Sequence, residues 1–188
     1  MIAFVLGNGK SRVGIDLHAL KKYGAIYGCN ALYREFDPDV LVSTDPGISR
    51  EIQASGWPLN RRHYTRKPFR DSGSMPLHPN YKGMSSGPNA VKIAIDDGMK
   101  TIFLVGFDLG STNNFFNNVY ADTEHYKKSN QGPTFGGNWA NQLVKLANES
   151  PAVDFIRVID EDSQEFSVIS ATTNIKTISK SQFLSTHK

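Results

Sequence analysis

Several short stretches of this sequence carry residue types suited to holding a phosphorylated ligand, and most directly follow an apolar run. The first is Gly7-Asn8-Gly9-Lys10-Ser11, placed after Ile2 to Leu6 and before a helical pattern. Glycines there expose backbone amides, and Asn8 and Ser11 add polar side chains beside them. The competing reading is a turn whose glycines serve backbone geometry alone. Spacing excludes two known phosphate loops. A Walker-type loop needs glycine at position 4, which is Phe4, and a dinucleotide fingerprint needs glycine at position 12, which is Arg12. ATPase and nicotinamide chemistry fall on that ground. Cys29-Asn30 and Thr44-Asp45-Pro46 close two further runs. Asn and Asp are common turn and cap residues, but together with the glycine loop they define one rim. Ser85-Ser86-Gly87-Pro88-Asn89 opens a helical pattern, where either serine can cap the helix or bind an anion at its first turn.

Gly106-Phe107-Asp108-Leu109 follows a strongly apolar run and brings Asp108 to the same rim. Downstream stand Tyr120, Asp122, Glu124, His125 and Tyr126. His125 is the best general-base candidate, since imidazole titrates near neutral pH and its neighbours are polar. His78 is the second choice; His18, His63 and His187 have weaker contexts. Asp37-Pro38-Asp39 matches the D-x-D metal motif of many sugar-nucleotide transferases, but it precedes its strand and falls at the wrong end of a sheet. Asp160 and Asp162 follow a strand at the right end. No metal site is assigned.

Such residues need a scaffold. With 188 residues, of which 39% are hydrophobic, the chain suits one domain over 1–188 with a substantial core. A net charge of +3 is too small to imply nucleic-acid binding. One cysteine, Cys29, excludes an intramolecular disulfide and any multi-thiolate site within the chain. No apolar run approaches the roughly 20 residues of a membrane span, and Met1 to Leu6 reads as a buried strand rather than a signal peptide. A reducing, cytoplasmic location is expected, and the size leaves room for a homo-oligomer.

Apolar runs predict strands at Ile2 to Leu6, Ala25 to Cys29, Val40 to Thr44, Thr101 to Val105 and Phe155 to Ile159, and a further strand is expected at Arg62 to Arg66. Helices are expected at Ile15 to Lys22, Gly47 to Ala54, Asn89 to Asp97 and Asn138 to Glu149, with short β-like pieces and a last helix near Ser181 to Ser185 in the tail. Alternating elements with continuous apolar strands argue for an α/β three-layer, Rossmann-like fold with a mostly parallel sheet. Irregular stretches at 67–86 and 107–137 are expected to be lids or active-site loops. In such folds ligands bind at the carboxyl ends of the strands.

Gly7-Asn8-Gly9-Lys10-Ser11, Cys29-Asn30, Ser86-Gly87 at a helix start and Val105-Gly106-Phe107-Asp108, taken in order, resemble the bacterial sialyltransferases of glycosyltransferase family 42. The set is also similar to related motility-accessory proteins and to an archaeal pterin pyrophosphokinase family. The resemblance covers roughly residues 2–160. It implies that Asn8, Gly9, Ser11 and Asn30 hold the nucleotide of a CMP-sugar donor. Asp45 would face the donor, where the family more often has Asn, and Ser86-Gly87 would contact its sugar or phosphate. Gly7, Ser85 and Asp108 complete that donor-binding set. Tyr120 and Tyr126 would assist the leaving phosphate. The sialyltransferases place their histidine just before the helix that begins here near Asn138, where this chain has Phe135-Gly136-Gly137. His125 lies about a dozen residues earlier and is similar to the histidine after the Gly-Phe-Asp motif of the broader relatives. The expectation is metal-independent sugar transfer from a nucleotide-sugar co-substrate to a glycan or small-molecule acceptor, with His125 as base and no other cofactor. The alternatives are a magnesium-dependent pyrophosphokinase on the same scaffold and a non-catalytic nucleotide- or glycan-binding module.

Overall fold

The central strands of this protein are apolar on both sides, and both sides are covered. The computed structural model describes residues 1–134, 136–161 and 163–187; Phe135 and Asp162, both named above, lie outside them. Eight parallel strands form one sheet: β1 Ile2–Leu6, β2 Ala25–Cys29, β3 Val40–Ser43, β4 Arg62–Thr65, β5 Met75–Pro76, β6 Thr101–Val105, β7 Asp154–Ile159 and β8 Ile175–Ser179. Their order is β5-β4-β3-β2-β1-β6-β7-β8. The helices are α1 Leu17–Leu20, α2 Pro46–Ala54, α3 Ser86–Asp96, α4 Gly136–Glu149, α5 Ser167–Ser170 and α6 Lys180–Thr186.

Strand alternation divides the core in two. Ala3 and Val5 of β1, with Ile102 and Leu104 of β6, pack against Ala90, Val91 and Ala94 of α3 and Leu143 and Leu146 of α4. Phe4 and Leu6, with Phe103 and Val105, face Leu20 of α1, Ile48 and Ile52 of α2 and Phe183 of α6. The result is the three-layer Rossmann-like α/β arrangement, with every strand pair parallel. Among the described residues no helix is long and apolar enough to cross a membrane.

The chain moves outward from β1 to β5, then returns to lay β6 on the other side of β1. Connections therefore leave β1 and β6 in opposite directions, which opens a crevice above their carboxyl ends.

Some elements differ from their expected bounds. The helix expected at Ile15 to Lys22 shrinks to the single turn of α1, because Asp16 caps it through the His18 and Ala19 amides. The helix expected from Asn89 starts at Ser86, since Pro88 is tolerated in a first turn. The 67–86 stretch contributes the short edge strand β5 and a 3₁₀ turn, Pro79–Tyr81. The polar tail supplies a full strand, β8, and α6 follows it behind a Ser179–Gln182 capping box.

His63 on β4 is fully buried. Its Nε2 lies 2.8 Å from Ser43 Oγ and its Nδ1 2.8 Å from Ser74 Oγ, and Ser49 Oγ of α2 donates to Ser43 Oγ at 2.9 Å. Burial pushes its pKa down from 6.5 to about 4. The unfolded chain therefore takes up a proton that the native state refuses. Stability present above pH 6.5 should fall as the pH drops toward 4, by up to about 3 kcal/mol. Urea unfolding at pH 7.5 and pH 5 should show about 2 kcal/mol of this loss in the native protein and a much smaller one in His63→Gln.

Candidate functional site

The β1 and β6 loops cross each other at the crevice in backbone contact. Gly7 N donates to Val105 O at 2.8 Å and Gly9 N to Gly106 O at 2.9 Å. A Cβ on Gly7 would stand 2.4 Å from Gly106 O, and one on Gly9 would stand 2.4 Å from the Asp108 carboxyl carbon. Gly106 has φ +72°, a conformation that costs little only for glycine. These glycines are explained by close approach of the two chains.

Beneath the crossing, Asp108 is buried and its carboxylate accepts from Ser11 N at 3.0 Å, from Ser11 Oγ and from Ser163 Oγ at 3.3 Å. The fully buried Arg157 of β7 donates to the carbonyls of Phe107 at 2.9 Å, Asp108 at 3.1 Å and Gln164 at 2.7 Å. The loop after β6 is thereby held from both its side chain and its backbone.

Three helices begin at this edge. Ser85 does not cap α3 with its own side chain. Its hydroxyl accepts from Trp139 Nε1 at 2.9 Å and its amide donates to Gln142 Oε1 at 2.9 Å, which docks the first turns of α4 on that of α3. The Ser86 and Gly87 amides have no acceptor within their own helix. Ser86 Oγ is buried at a junction: Thr44 N donates to it at 2.9 Å, Thr44 Oγ1 lies at 2.8 Å, and it donates to Asn30 Oδ1 at 2.8 Å. This ties the ends of β2 and β3 to the start of α3. Asp45 likewise leaves the first turn of α2 without a side-chain cap. Arg66 links the segments entering α2 and α3 by donating to Thr44 O at 3.3 Å, Met84 O at 3.0 Å and Lys82 O at 2.5 Å.

Together these parts enclose a cleft of about 420 Å³, within the usual range for a small-molecule site. Gly7, Asn8, Gly9, Asn30, Asp45, Ser85, Ser86, Gly87, Asp108, His125 and Tyr126 all line it. Two expected members do not. Ser11 is buried with its hydroxyl on Asp108. Tyr120 is buried away from the cleft, accepting from Arg12 Nη2 at 2.7 Å and donating to Glu35. Both are bracing residues rather than ligand contacts. His78 lies in a separate groove beside Tyr64 and Tyr81. The Asp37-Pro38-Asp39 carboxylates are engaged at the opposite end of the sheet, Asp37 with Arg61 and Asp39 with the Ile26 amide.

Thr44 of the expected rim also lines the cleft, with Arg66, Asn117, Asn118, Lys127 and Trp139, which were not assigned to the site from sequence. Arg66 and Lys127 follow no motif, and Trp139 satisfied the apolar face of a helix, so no local signal set them apart. The long loop after β6 joins the site through specific bonds. Val119 N donates to Asn8 O at 2.8 Å, Lys10 N to Asn117 Oδ1 at 2.8 Å and Ala31 N to Tyr126 OH at 3.2 Å. Burial pushes the Tyr126 phenol pKa up, so it stays protonated and able to donate. Cys29 is an inert neighbour, its thiol pushed up to about 12 by burial. His125 sits with φ +70° and its Nε2 3.2 Å from Glu51 Oε2. Glu51, Glu124 and His125 lie close enough for one cation, but Arg34 already engages both oxygens of Glu51.

No protein-family model, curated protein or solved structure matches the chain.

Gly9→Ala should test the crossing. Overpacking of this kind costs about 1–3 kcal/mol, and denaturant unfolding should show at least that loss. Gly83→Ala, where a Cβ meets nothing within 4 Å, should stay near the native value.

Proposed function

We propose that the cleft binds a nucleotide-activated sugar and that the protein transfers the sugar to an acceptor hydroxyl without a metal ion. The observation that carries this reading is the convergence of the first turns of α2, α3 and α4 on a cleft that also holds His125 and Tyr126. Uncapped helix starts favour anions by roughly 0.3–1 kcal/mol each at exposed positions, and more where partly buried. Two such starts, those of α2 and α3, beside one crevice suit the phosphate of a nucleotide donor. The order of motifs shared with the sialyltransferase-like families supports the same donor class.

In this mechanism His125 takes the acceptor's hydroxyl proton as the acceptor oxygen attacks the anomeric carbon. The bond from that carbon to the donor phosphate breaks, and the phosphate oxygen leaves with the electron pair. The Ser86 and Gly87 amides and the Tyr126 hydroxyl stabilise the charge that develops there. A magnesium-dependent pyrophosphoryl transfer is less well served by these residues. Of the two aspartates lining the cleft, Asp108 already has both oxygens bonded to its serine partners.

Calorimetric titration with CMP, UMP and their sugar conjugates should show saturable binding to the native protein and to His125→Ala. Turnover of the productive conjugate should drop about 10²- to 10⁴-fold in His125→Ala. Absence of binding by every nucleotide would sink the donor assignment. Binding without turnover in the native protein would identify a non-catalytic binding module.

A further inference from the structure

We propose that Glu51 is the positioning residue for His125. It holds the imidazole over α2 with its proton on Nε2, which leaves the ring's lone pair on Nδ1. This deepens the reading of His125 as the base and rests on it.

Gly47 and Glu51 are four residues apart on α2 and so share one face of that helix. The His125 ring is seated over this face. Its Nε2 approaches Glu51 Oε2 at 3.2 Å, while a Cβ added to Gly47 would stand 2.6 Å from its Nδ1. The long loop after β6 delivers the ring with a left-handed backbone at His125, φ +70°, which a non-glycine residue adopts only where its surroundings impose it.

The carboxylate is itself fixed. Arg34 donates Nε to Oε1 at 2.8 Å and Nη2 to Oε2 at 2.6 Å, and the Tyr33 hydroxyl also donates to Oε1. The Arg34 hydrogen bonds are the main reason that the Glu51 carboxyl lies below its ordinary range, so it is ionised at neutral pH. An ionised carboxylate only accepts hydrogen bonds. The nitrogen facing it must therefore carry the proton, and the lone pair falls to Nδ1. Glu124 is the other acid near Nε2, at 3.8 Å, but its side chain is 80% exposed and solvated. Arg34 also offsets the charge of Glu51, so the pair orients the ring without adding a full negative charge to the cleft. Gly47 leaves open the space that Nδ1 occupies.

Proton–nitrogen spectra of the full ¹⁵N-labelled chain at pH 8 test this. The native protein should show His125 protonated at Nε2, with that proton slow to exchange with water. Glu51→Gln keeps an acceptor oxygen and should retain the slow exchange; Glu51→Leu should lose it. Gly47→Ala should also lose it, because the new methyl displaces the ring, and alanine is favourable in a helix, so this variant tests the pairing even if Glu51→Leu fails to fold. In the transfer assay Glu51→Leu should lower kcat about 100-fold at unchanged donor KM, with most activity restored in Glu51→Gln. A proton on Nδ1 in the native protein, or unchanged exchange in both Glu51→Leu and Gly47→Ala, would overturn the proposal. If the protected Nε2 proton is present but no nucleotide binds, the pairing is supported and the transfer reading falls; if nucleotides bind without that proton, the positioning role falls alone.

Discussion

The close crossing of the β1 and β6 loops is the constraint on which the site depends. Two adjacent parallel strands send their chains in opposite directions, and the chains still touch through Gly7, Gly9 and Gly106. Any side chain at Gly7 or Gly9 would push the loops apart. With none there, Asp108 can pass under the β1 loop and bond Ser11, and Arg157 can hold the next carbonyls from the far side. The floor of the cleft is therefore set by backbone packing, which is stiff, rather than by mobile side chains.

The walls follow from that floor through a small number of polar junctions. Ser86 Oγ joins β2, β3 and α3, and Arg66 joins the segments that lead into α2 and α3. Ser86 Oγ bonds one backbone amide and two side chains, and Arg66 bonds three backbone carbonyls, the arrangement expected where an unsatisfied group would be costly. Their effect is to aim helix starts at one space. The long loop after β6 is then braced by Tyr120 on Arg12 and Glu35, and by Tyr126 on the Ala31 amide, which brings His125 over α2. On the proposed reading, the base and the anion-binding amides come from different parts of the fold, the base from the loop after β6 and the amides from the helix starts above the strand ends.

Much of this was legible in the chain. The apolar runs marked most strands to within a residue, because a strand buried on both faces leaves a continuous signature. The rule that ligands bind at strand carboxyl ends gathered Asn8, Asn30, Asp45 and Ser86 onto one cleft. The missed elements are those whose stability is not local. β5 is two residues long and holds by pairing with β4, and β8 is polar on much of its surface because it is an edge. Ser11 and Tyr120 have the residue types of ligand contacts, and nothing near them in sequence shows that their hydroxyls are already bonded.

What the sequence determined by itself is most of the secondary elements and the end of the sheet where polar groups gather, since both arise from local periodicity and turn chemistry. What only the tertiary structure decided is which of those polar groups face the cleft. Ser11 meets Asp108 across 97 residues and Tyr120 meets Arg12 across 108. Such bonds are made or withheld by the strand order, which places β6 beside β1 and β7 beside β6. A hydroxyl that finds a buried partner braces the fold, and one that finds none nearby is left for a ligand.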